Sequence, residues 1–163
     1  MSKHNSIVFH SFTPELAQHF KSINQQWIEA MFVMEDIDMH VLSEPQKYII
    51  STGGHIWFAQ HPELGVVGTG ALYKKAEGIF ELTKMGVLDQ ARGLKIGELL
   101  LQHILLQAKD IATKELFLLT NSRCEAAIHL YQKNGFVHDK SIMHKYGKAY
   151  ERCNVAMKYL PSL

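Results

Sequence analysis

The residues of this chain best placed for chemistry lie in one continuous stretch, Glu81-Leu-Thr-Lys-Met-Gly-Val-Leu-Asp-Gln-Ala-Arg-Gly-Leu-Lys-Ile-Gly97, where a strand passes through a glycine-containing turn into a helix. Such a junction presents unpaired backbone N–H groups at the positive end of a helix dipole, a ready site for phosphate. Gly93 lets the backbone approach an anion, and Gly97 lets the first helical turn pack closely. Neither GxxxxGKS/T nor GxGxxG occurs, which excludes a Walker loop and a dinucleotide fingerprint. Taken alone, the stretch is equally compatible with a structural turn.

Other chemistry-bearing residues are less organised. The chain has 10 histidines but no HExxH, and His55 with His61, or His138 with His144, lack an accompanying carboxylate cluster, so no metal site is expected. His103 and His129 fall on helices as packing or surface positions. Cys124 and Cys153 form no CxxC pair, which fits a reducing compartment and excludes a disulfide framework; both read as small buried hydrophobes. Residues 28–46 hold Glu29, Glu35, Asp36, Asp38 and Glu44 with no Lys or Arg. This is either an anionic rim that attracts a cation or a solvated helix face. The chain carries 17 basic and 16 acidic residues, a net charge of +1, which argues against a nucleic-acid binder.

The elements that must position these residues follow from periodicity. At 163 residues, 47% hydrophobic and without repeats or linkers, the chain reads as one domain spanning 1–163. A short strand at 7–9 precedes a helix opened by Thr13-Pro14-Glu15 and running to about Trp27. A second helical region lies within 35–50, with Ser43 and Pro45 marking its start. HIWFAQ, VVGTGALY and IFELTKMGVL then form an antiparallel meander. A helix over 96–111, the strand ELFLLT, a helix capped by Ser122 and Glu125 that stops at Gly135, and two closing strands, FVHDK and ERCNVAMKYL, complete an α/β sandwich. The opening MSKHNSIVFH has no long apolar core, and residues 96–106 are interrupted by Gly97, Glu98, Gln102 and His103, so neither a targeting nor a membrane segment is expected and the cytoplasm is the default.

Two motifs in this order, Gln90-Ala-Arg-Gly-Leu-Lys-Ile-Gly97 and Ala127-Ile-His-Leu-Tyr-Gln-Lys-Asn-Gly-Phe136, make the chain resemble the GNAT (N-acetyltransferase) superfamily. ELTKMGV, TNSR and YERCNVAM are especially similar to acetyltransferase domains fused to winged-helix regulators. The resemblance implies the GNAT acyl-CoA acyltransferase fold: a mixed, mostly antiparallel sheet splayed between its fourth and fifth strands, with helices on both faces. It implies acetyl-CoA as co-substrate and an amine of a small molecule or peptide as acceptor, with no metal, nucleic acid or membrane partner, and a homodimer through the last strands.

Carried over by position, the resemblance assigns Met85, Gly86 and Val87 to the pantetheine and thioester. Arg92, Gly93, Leu94, Lys95, Ile96 and Gly97 fall to the pyrophosphate, and Asn121 and Tyr131 to further contacts. Tyr131 is the implied acid for the leaving thiolate and Glu81 the implied base, on the expectation that Glu81, Thr83, Met85 and Val87 alternate onto one strand face. The chain departs from the family at Lys95, where Gly or Ala is usual, so that Lys95 either turns toward phosphate or reshapes the loop. It departs again at Cys124, where many members carry Asn. A catalytically silent acyl-CoA-binding domain, or an interaction module of the same fold, is the alternative to an enzyme.

Overall fold

The computed structural model describes residues 6–163; residues 1–5, part of the opening segment read for targeting, lie outside the described residues. Its centre is a seven-stranded sheet in the order β1-β2-β3-β4-β5-β7-β6. The strands are β1 Val8–Ser11, β2 His55–His61, β3 Gly65–Ala76, β4 Ile79–Val87, β5 Glu115–Thr120, β6 Phe136–His138 and β7 Val155–Tyr159. All pairings are antiparallel except β4 with β5, which runs parallel over Ile79–Leu82 against Glu115–Leu118 and then stops. Both strands continue past that point, so the sheet parts along the line that joins its two halves.

Helices cover both faces. On one face, α1 (Ala17–Met31) and α2 (Asp36–Ser43) bury Phe20, Ile28, Val41 and Leu42 against Ile56, Phe58 and Ala71. On the other, α3 (Ile96–Asp110) lays Ile96, Leu100, Ile104 and Ala108 on Leu72, Leu82 and Leu118. The helix α4 (Glu125–Lys133) adds Leu130 and Tyr131 to that core, while α5 (Lys140–Tyr146) packs Ile142 against Phe117 and Ala156 on the first face.

Several local expectations need correction. α2 begins at Asp36, not near Ser43, because Glu35 and Asp38 form the capping box: the Glu35 amide donates to Asp38 Oδ2 at 2.9 Å. The residue Ser43 ends that helix, and Pro45 precedes a wide π-type turn, Gln46–Ile50. The Ser122–Glu125 box does not form; Cys124 stands at the N-cap of α4, and the Ser122 amide donates instead to Asn154 Oδ1 at 2.8 Å. The last closing strand starts only at Val155, since α5 and a 3-10 turn, Gly147–Ala149, occupy the chain before it.

Strand β4 carries the correction that matters for chemistry. Ala71 opposes Thr83 and Thr69 opposes Gly86, so Lys84 and Met85 together face Gly70 in a bulge, with Lys84 at φ 51°. The extra residue inverts the alternation. Glu81 and Thr83 lie on the α1/α2 face with Ala71, whereas Met85 and Val87 pack into the α3 core, so the four do not share one face.

Candidate active site

Where β4 and β5 part, they leave two adjoining spaces. An inner cavity of about 60 Å³ lies between Leu82, Thr83, Lys84 and Met85 on one side and Leu118, Leu119 and Thr120 on the other. A long cleft of about 710 Å³ runs outward from it, past Met85, Gly86 and Val87 to Arg92, Gly93 and Gly97, with α4 forming its opposite wall. Trp27, Met85, Thr120, Cys124 and Tyr131 line both spaces. Trp27 is held there by donating from Nε1 to Asn24 Oδ1 at 2.9 Å, and Gly86 is obligatory beneath it, since a Cβ would lie 2.7 Å from Trp27 Nε1.

The outer end of the cleft is the α3 N-terminus. Lys95 occupies its N-cap at φ 59°, the left-handed region, with its side chain in solvent. The loop therefore keeps the backbone shape that glycine adopts freely, and the lysine adds a mobile charge beside the unpaired amides. Gly93 has φ +81° and open space around it, so conformation rather than crowding requires glycine. Gly97 differs from expectation: a Cβ there would make ordinary 3.8 Å contacts with Leu130 and Val87, so close packing does not require it, but it borders the cleft. Ile96 and Leu94 turn into the core, leaving only their backbone for a ligand. Arg92 is exposed and paired with Asp89 at 2.9 Å, and Arg123, unnoticed in the sequence, lies over the Phe32 ring at the cleft wall. These amides, cations and glycines fit a pyrophosphate.

Tyr131 stands edge-on to Phe136 where the two spaces meet, and burial raises its pKa. Asn121 faces the inner cavity rather than the cleft, its amide donating to the Arg152 carbonyl at 2.7 Å and accepting from the Arg123 amide at 2.8 Å. Glu81 is elsewhere: it lines a separate cavity of about 90 Å³ with Tyr48, Tyr73, Lys75, Thr83 and Tyr150. Thr83 and Tyr150 line both this cavity and the inner one. Glu81 is 2% exposed, with its carboxylate 3.5 Å from Lys75 Nζ; burial raises its pKa against the opposing pull of Lys75 and Lys84.

Part of the acidic run is spent internally. Asp38, fully buried, accepts from Lys84 Nζ at 2.9 Å and from both Arg152 Nη atoms at 2.7 Å, and Glu35 accepts from Arg152 at 3.2 Å. Although desolvation opposes it, these cations hold Asp38 well below the usual carboxylate range. Two of the five anions therefore pair with internal cations, and Lys84, Tyr150 and Arg152 roof the inner cavity. No local spacing marks this cluster, whose members lie more than 40 residues apart in pairs such as Lys84 and Asp38.

A mixed sheet that opens between two parallel strands onto a helix N-terminus is the architecture of the GNAT acyltransferase fold. A family profile described as "Acetyltransferase (GNAT) domain" matches residues 52–138, and the chain belongs to that family. Solved structures agree in fold along nearly the whole chain. An acetyltransferase of the GNAT family from Staphylococcus aureus superposes with TM-score 0.82 at 21% identity, over 93% of this chain and 97% of that one. An acetyltransferase from Streptococcus agalactiae gives 0.78 at 19%, over 96% and 99%. The PaiA N-acetyltransferase from Thermoplasma acidophilum, solved in complex with coenzyme A, gives 0.72 at 16%, over 96% and 99%. Among curated proteins no sequence matches. Among the described residues no helix is long and apolar enough to cross a membrane, and no group of three potential metal ligands occurs.

Proposed function

We propose that the chain is an acetyl-CoA-dependent N-acetyltransferase acting on a primary amine. The observation that carries this reading is the long cleft adjoining the inner cavity, with Tyr131 lining both. When bound, acetyl-CoA supplies an electrophilic thioester carbonyl and a thiolate leaving group.

In this reading, amides of Ile96, Gly97 and Glu98 hold the pyrophosphate, assisted by Lys95, Arg92 and Arg123. Beyond Leu82 the β5-facing edge of β4 has no strand partner. Residues 85–87 there offer backbone groups to the pantetheine and an N–H to the carbonyl oxygen as charge develops on it. Glu81 takes one proton from the acceptor ammonium, its raised pKa suiting it to hold that proton. The freed nitrogen forms the C–N bond as the C–S bond breaks. Tyr131 gives its hydroxyl proton to the departing sulfur and is restored by the second proton of the nitrogen, so that thiol, amide and one proton are the products.

Calorimetry with acetyl-CoA, followed by thiol release on a panel of amines, tests this. Binding with turnover supports it. Binding without turnover on any amine leaves a silent acyl-CoA-binding domain, and absence of binding removes both.

A further inference from the structure

The cavity over Glu81 offers a ligand two charges of opposite sign at different depths. Glu81 forms its floor, 3% exposed at the side chain, and Lys75 forms its rim, 24% exposed. Their 3.5 Å separation is a loose ion pair, and the Lys75 ammonium lies over the rings of Tyr73 at 4.7 Å and Tyr146 at 5.7 Å. The neighbouring cations are engaged: Lys84 by Asp38, and Arg152 by Asp38 and Glu35. Ile37, Val41 and Tyr48 form the remaining wall.

Charge balance selects the ligand. A simple monocation must compete with Lys75 for Glu81 and leaves that lysine without a partner. A polyamine finds one carboxylate for several ammonium groups, and an anion meets the buried Glu81. A zwitterion inserted between the two gives each charge a partner and keeps the site neutral, because the flexible Lys75 stem allows its ammonium to swing outward. Thr83 and Tyr150, which line both cavities, put the ammonium end next to the inner cavity.

We propose that the acceptor is a compact α-amino acid with an apolar side chain, its ammonium on Glu81, its carboxylate on Lys75 and its side chain against Ile37, Val41 and Tyr48. This rests on the acetyltransfer reading above.

The test compares valine, leucine and methionine with their α-amides and their decarboxylated amines as acceptors, by thiol release. The amino acids should exceed both analogues by about 10-fold or more in kcat/KM. Lys75→Met should raise KM for the amino acids by about 10-fold more than for the amides or the amines, with the acetyl-CoA Kd unchanged, and Lys75→Arg should restore the preference. Equal turnover of amino acid and amine, or a Lys75→Met effect of the same size on all three acceptor types, overturns the inference while the acetyltransfer reading stands. No thiol release from any amine overturns the transfer reading, and this inference with it.

Discussion

Tyr131 reaches the meeting point of cleft and cavity from α4, a position that the motif Ala127-Ile-His-Leu-Tyr marked in advance. If its hydroxyl supplies the leaving-group proton, Tyr131→Phe should lower kcat by roughly 10²- to 10⁴-fold with acetyl-CoA affinity unchanged, and steady-state kinetics beside calorimetry will check it. A kcat within twofold of the parent sinks the assignment. Gly97 makes a second separable case. Alanine there meets only ordinary contacts in the fold and improves helix propensity by up to about 1 kcal/mol, so Gly97→Ala should hold or raise Tm. Its methyl group intrudes on the cleft, so acetyl-CoA binding should weaken by about 10-fold; unchanged Kd would place the pyrophosphate elsewhere. The sequence located these residues because each lies in a short contiguous motif. It misplaced Glu81 relative to Met85, because the bulge at Lys84 depends on the partner strand and leaves no local mark.

At the scale of elements, the meander, the α3 helix and β5 were legible because period-2 and period-3.6 apolar patterns are written in consecutive residues. α5 was missed: Lys140-Ser-Ile-Met-His-Lys-Tyr146 is short, and Ile142 is its one buried residue, so there is little period to read. Also hidden was what joins α2 to the sheet. Asp38 ties the first turn of α2 to the bulge of β4 through Lys84 and to the segment before β7 through Arg152. Asp38→Asn leaves two cations without that carboxylate, and should cost about 3–5 kcal/mol in denaturant unfolding, whereas exposed Asp36→Asn should cost little. Equal effects of the two would show that the cluster does not anchor α2.

For the whole molecule, net charge proved less informative than where the charges are spent. Burial holds His55 and His103 below their ordinary pKa, so they stay neutral in the fold when the unfolded chain has already protonated them. Stability should therefore fall as pH drops below roughly 6.5. Asp38, held low, contributes stability above its ordinary value of 3.8 that is lost on further acidification. Glu81 opposes both: its raised pKa favours the fold below its ordinary value of 4.5, and that advantage disappears as pH rises through the folded value. Tm should decline from pH 7 toward pH 4, and more steeply in Glu81→Gln than in the parent. A shallower decline in the variant contradicts the sign assigned to Glu81.

The Glu81 cavity and the long cleft share no lining residue, and the inner cavity stands between them, which also bears on the order of events in turnover. Two substrates held in spaces with no wall residue in common do not obstruct one another, so a ternary complex can assemble whichever arrives first. Double-reciprocal rate plots at several fixed acceptor concentrations should then intersect instead of running parallel.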